Sequence, residues 1–245
     1  MSGHSKWSTI KHKKAATDAV RGKVFSKISR AISVAVKTGG GGDLDGNHKL
    51  RMAVDKAKSV NMPKDRIENA IKRASTSGEN LEEILYEGFG PYGIAVMVEV
   101  ATNNRNRAAQ ELKSIFEKGG GNLGGPGSVS FNFNPKGLLL VKKEGDLEEQ
   151  MLKLIDMGVE DVEEVENGLE TYVAPNMLRE TKKKLEADRF EITATELVQK
   201  PNTFQTIDDS AKAVKALAFL NNLGEHEDVQ KVFANLNIPE GTVEM

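Results

Sequence analysis

The stretch GLLLVKKEGDLEEQMLKLIDMGVEDVEEVENGLETYVAPNMLRETKKKLEADRFEITATELV, residues 137–198, switches repeatedly between two hydrophobic periods. Apolar residues crowd 137–141, recur at helical spacing through 147–157, and form short strand-like runs near 161–165 and 169–173. Helical spacing returns over 176–187 and an alternating run closes the stretch at 191–198. The order βαββαβ predicts a ferredoxin-like unit, with two helices covering one face of an antiparallel sheet.

The flanks look incomplete by comparison. Upstream, the patterns predict a strand over 94–101, a helix over 105–118 and a strand over 128–134, with a glycine-rich connection over 119–127. Downstream of Lys200-Pro201-Asn202, a helix over 208–222 and a strand over 228–234 bury too little surface to stand alone. The tail is therefore expected to return to the upstream sheet. Residues 79–134 plus 203–245 then form one discontinuous α+β domain, and residues 135–202 are an insertion into it.

Residues 1–78 follow a helical period instead. Val20, Val24, Ile28, Ala31, Ile32 and Ala35 recur at three- and four-residue steps over 18–37, so this segment is an amphipathic helix. At about 100° per residue, Lys23, Lys27, Arg30 and Lys37 share an arc of roughly 80° on a different face. Four glycines at 39–42 break that helix, and Leu50, Ala53, Val54 and Ala57 begin a second. A third starts near Pro63 and carries Ile67, Ala70, Ile71 and Ala74 inward. The fold class is α+β in three domains, the first a basic three-helix domain.

Charge follows the same division. The 245 residues carry a net charge of −2, but residues 1–75 hold 17 Lys and Arg against 6 Asp and Glu, or +11, which leaves −13 for the rest. A polyanion would be drawn to the head and repelled by the body, which orients a complex as well as attracting it. The absence of cysteine removes disulfides, thiolate metal sites and thiol nucleophiles. The longest apolar runs are five residues, far short of the ~20 needed to span a bilayer. A cytoplasmic protein with no membrane partner is expected, and nothing demands more than a monomer.

Catalytic signatures are scarce. Gly119, Gly121 and Gly124 satisfy a G-x-G-x-x-G spacing, but they follow a helix and enter a strand, the reverse of a dinucleotide fingerprint. The segment reads as a flexible connection or, alternatively, as a backbone-amide nest for phosphate. His4, His12, His48 and His226 are scattered without metal-ligand spacing. No enzyme activity, cofactor or metal is expected.

The candidate nucleic-acid-binding residues are Lys6, Trp7, Lys11, His12, Lys13 and Lys14 in the basic N-terminal segment, Lys23, Lys27 and Arg30 on the first helix, and Arg105 and Arg107 at a strand-to-helix turn. Lysines supply sequence-independent attraction to phosphates, and Trp7 either stacks on a base or packs on a neighbouring domain. Arg105 and Arg107 stand among asparagines, where a capped helix entry is the competing role. This reading requires that the cations share a surface and are not neutralised by the protein's own carboxylates.

Several segments together resemble the YebC/PmpR family. They are 3–7 with 10–14, 61–65 with 67–68 and 70–73, 86–91, 104–107, and 120–124 through 127–129, within a similarity covering essentially the whole chain. Tyr92 after Pro91, Asn103-Asn104 and Pro126 depart from the usual pattern in the middle domain. The resemblance implies a cytoplasmic three-domain protein with a helical N-terminal domain and two α+β domains. It also implies a regulator of gene expression. Bacterial members are described as DNA-binding transcriptional regulators and are linked to ribosomes stalled at proline-rich sequences, and a mitochondrial relative activates translation of a cytochrome oxidase subunit. A DNA-binding regulator and a translation factor holding ribosomal RNA are thus the two functions to separate. A small-molecule enzyme would need a site assembled between domains.

Overall fold

The computed structural model describes residues 18–76, 81–239 and 241–243. Three helices come first: α1 (Asp18–Thr38), α2 (His48–Ser59) and α3 (Lys64–Thr76). Ile28, Ile32 and Ala35 of α1 bury against Leu50, Val54 and Ala57 of α2 and Ile67, Ala70 and Ala74 of α3, all periodic positions of the sequence, and Val36 joins them. The glycine turn is needed for its backbone, since Gly40 and Gly41 take φ of 98° and 106°. Asn47, 1 % exposed, fastens it. Its Oδ1 accepts from Leu50 N at 3.0 Å to cap α2, while its Nδ2 donates to Ala35 O at 2.7 Å and Gly41 O at 2.8 Å.

The second unit is a sheet of order β3-β1-β2-β9, made from β1 (Glu82–Phe89), β2 (Ala95–Thr102), β3 (Asn122–Leu123) and β9 (Val229–Ala234). β1 and β2 form a hairpin, and β9 returns from the far end of the chain to pair antiparallel with β2, Val98 opposite Val232. Helices α4 (Arg105–Gly119) and α7 (Ser210–Glu225) cover one face. Phe116 and Phe219 meet there edge to face at 5.2 Å. Two short strands, β8 (Gln205–Thr206) and β10 (Leu236–Asn237), pair in parallel beside it.

The third unit is built from β4 (Phe133–Val141), α5 (Leu147–Asp156), β5 (Asp161–Val165), β6 (Gly168–Val173), α6 (Leu178–Ala187) and β7 (Ile192–Pro201). The antiparallel strand order β5-β6-β4-β7 is the ferredoxin-like arrangement, with Leu139, Val141, Leu154, Leu169 and Leu185 in the core beneath the helices. Val198 of β7 reaches a second core of Ala95, Met97, Val129, Phe133 and Phe233, which joins the two sheets.

Three local expectations are corrected. Strand β1 stands where the hydrophobic period predicts none, because Glu82, Glu83, Glu87 and Gly88 disguise it. The expected strand over 128–134 is a turn of 3-10 helix at Ser130–Asn132, and the strand starts at Phe133. Val129 and Phe133 are buried whereas Phe131 between them is 77 % exposed, so the apparent alternation does not describe one face. The helix expected over 176–187 begins at Leu178, after a 3-10 turn at Pro175–Met177.

Candidate nucleic-acid interface

Lys6, Trp7, Lys11, His12, Lys13 and Lys14 lie outside the described residues. The α1 cations are placed, and all three lean on one short segment of the second unit. Lys23 pairs with Glu225 at 2.9 Å, both groups being well exposed. Lys27, one turn further on, donates to the carbonyl of Gly224 at the C-terminal end of α7. Burial lowers the Lys27 pKa to about 8, against the opposing pull of Glu225. Arg30, on the next turn, forms an ion pair with Asp228 Oδ1 and reaches Ala101 O at 3.4 Å.

Asp228 has no exposed surface in its side chain and collects partners from three elements. Arg107 of α4 binds its Oδ2 at 2.7 Å, and the Thr102 hydroxyl donates to the same oxygen at 2.8 Å. The preceding His226 accepts from Asp228 N at 3.2 Å through Nδ1 and meets Glu111 at 2.9 Å through Nε2, which assigns the ring proton to Nε2. The structure thus brings Lys23, Lys27, Arg30 and Arg107 together, but around the protein's own acceptors. Lys23, Arg30 and Arg107 are carboxylate-paired and Lys27 is half-buried on a carbonyl. Asp228, Glu225 and Gly224 carry no sequence signal for this role, since only the tertiary fold brings them to α1.

Arg105 remains exposed at the start of α4. Asn104 caps that helix by accepting from Arg107 N at 3.0 Å, the structural role foreseen for the asparagines. Elsewhere on the helical region, Lys58, Lys72 and Arg73 are exposed and have no carboxylate partner among the described residues. Lys49 and Lys56 reach across to Glu83 and Glu196 of the two sheet units.

The glycine-rich segment is neither a loose connection nor an open phosphate nest. Glu87 occupies the amides: its Oε1 accepts from Gly127 N, and its Oε2 from Val129 N and Ser130 N, each at 2.9 Å. Burial alone would raise the Glu87 pKa, but these three N–H groups outweigh it and hold the carboxyl below its usual value. The neighbouring glycines are there for close approach. A Cβ on Gly121 would fall 2.1 Å from Phe89 O, and one on Gly119 2.3 Å from the Phe219 ring. Among the described residues no cluster of His, Asp and Glu could hold a metal ion, and no helix is long and apolar enough to cross a membrane.

The architecture is that of a three-part α+β protein whose basic helical region is fastened ionically to its sheets. Residues 5–77 match the TACO1/YebC protein N-terminal domain, and residues 81–236 match the TACO1/YebC second and third domain. The chain belongs to this family. It is 43% identical to a "Probable transcriptional regulatory protein" of Syntrophomonas wolfei, over 98% of each chain. It is 45% identical to a protein of the same description from Trichlorobacter lovleyi, over 100% of this chain and 99% of the other. A crystal structure of a conserved hypothetical protein from Aquifex aeolicus superimposes with a TM-score of 0.88 at 45% identity, covering 96% of this chain and 98% of that one.

Proposed function

We propose that the protein is a non-enzymatic cytoplasmic regulator of gene expression that acts as a monomer and holds nucleic acid by its phosphates, through its cationic N-terminal region. The observation that carries this reading is the division of charge, +11 over residues 1–75 against −13 over the remainder. Lys58, Lys72 and Arg73 add exposed cations to the basic segment that contains Lys6, Lys11, Lys13 and Lys14. Lysines at such density bind polyanions without reading sequence. The relatives' description as transcriptional regulators makes DNA the first target.

One observation favours a second reading, a translation factor held on ribosomal RNA. Base-edge readout in duplex DNA relies heavily on arginine forks, and three arginines of the helical region are held elsewhere while Arg73 stays exposed. Arg30 is on Asp228, Arg51 on the carbonyls of Leu44 and Asp45, and Arg66 lies 5.6 Å from the Phe25 ring centre. What remains suits recognition by backbone and shape, the usual mode for structured RNA. Crosslinking in cells followed by sequencing of the attached nucleic acid separates the two. Promoter DNA supports transcription, ribosomal RNA supports translation, and recovery of neither removes the nucleic-acid reading.

A further inference from the structure

We propose that Lys23, Lys27 and Arg30 are a releasable latch: they fasten α1 to the end of α7 in the unbound protein, and a phosphodiester backbone opens that junction by taking Lys23 and Lys27. This rests on the nucleic-acid reading above and adds a conformational consequence to it.

The three side chains occupy successive turns of one helix, and each has an acceptor within residues 224–228. The two lysine interactions are of the kind that exchange. Lys23 and Glu225 are 67% and 47% exposed, and a pair so open to water is held weakly and screened by salt. Lys27 sits on a neutral carbonyl where burial disfavours its charge, whereas a phosphate would favour it. The buried carboxylate tolerates the release, because Asp228 keeps Arg107 and the Thr102 hydroxyl, both from its own unit, when Arg30 departs. The helical region likewise keeps its own core when it moves.

Elsewhere at this junction Lys49 pairs with Glu83 and Lys56 with Glu196, and Met52 packs against the third unit. Opening would carry bound polyanion away from a body whose charge is −13. The same lysines cannot serve both sets of partners, so the closed arrangement restrains binding.

The chain has no cysteine, so Ser59→Cys and Asn222→Cys, both at exposed positions, place two spin labels across the junction of the full chain. A mixed-sequence DNA duplex and a structured RNA hairpin are each titrated in, and the label separation is read by double electron–electron resonance. Saturation is expected to move the population to longer distances, and the tighter-binding arm names the source of the phosphates. Glu225→Gln is expected to tighten binding about three-fold, as loss of a weak competing pair allows. Glu227→Gln, with the same charge change on an exposed residue outside the latch, is expected to do less. Binding with an unchanged separation, or equal effects of the two variants, overturns the latch and leaves the nucleic-acid reading standing. Absence of binding to either probe overturns both.

Discussion

Arg30 and Asp228, 198 residues apart in the chain, form an ion pair that joins the first helix to the residue just before β9 in the second unit. Arg107 takes the other carboxylate oxygen, so one buried aspartate ties α1, α4 and the start of β9. Replacing it leaves two guanidinium groups facing each other without a counter-charge. Asp228→Ala is expected to cost about 3–5 kcal/mol, measured by denaturant unfolding. A loss under about 1 kcal/mol would show that the carboxylate is not the hub of this junction.

The turn over 127–130 depends on Glu87. Its folded pKa lies below the ordinary carboxylate value, so the stability it contributes is complete above that ordinary value. That contribution is lost as pH falls through the ordinary value and then through the depressed folded one. Melting temperatures of the wild type and Glu87→Gln should therefore differ at neutral pH and converge in acid. Parallel curves at all pH values would contradict this.

Two glycines of the same segment make a contrast. Gly121 has a carbonyl oxygen 2.1 Å from its would-be Cβ, whereas Gly125 has nothing within 4 Å. Gly121→Ala is expected to destabilise by at least about 2 kcal/mol and Gly125→Ala by no more than about 0.5 kcal/mol. Equal melting temperatures for the two variants would mean that close packing does not explain the glycines.

Residues 135–202 carry a core of their own in Leu139, Val141, Leu154, Leu169, Leu178 and Leu185. We propose that they fold as an autonomous unit. Expressed alone, they should give a dispersed amide spectrum, and a collapsed one would show that the shared-core residues outside the fragment, Phe133 among them, are indispensable.

Much of this fold is written in local periodicity. Ile28, Ile32 and Ala35 on α1 and Leu139, Leu154, Leu169 and Leu185 in the third unit bury where their spacing places them, because helices and half-buried strands differ in period. Strand β1 is hidden because its buried polar residue, Glu87, is satisfied by amides some 40 residues away, and its glycine is needed for the approach of Asn122 and Phe116. Phe131 misleads for the converse reason: an apolar residue at an alternating position stands in solvent on a turn. For the interface, the helical wheel groups Lys23, Lys27 and Arg30 correctly. It holds no information on what they face, since Gly224, Glu225 and Asp228 reach them only through the return of the C-terminal helix and strand.

The most direct test of the phosphate-holding head is the salt dependence of nucleic-acid affinity for the full chain and for Lys11→Glu, Lys13→Glu and Lys14→Glu combined. Much weaker binding is expected for the triple variant, with a shallower plot of log affinity against log salt, by about 0.9 for each duplex phosphate that is no longer neutralised. Unchanged affinity with an unchanged slope would contradict it.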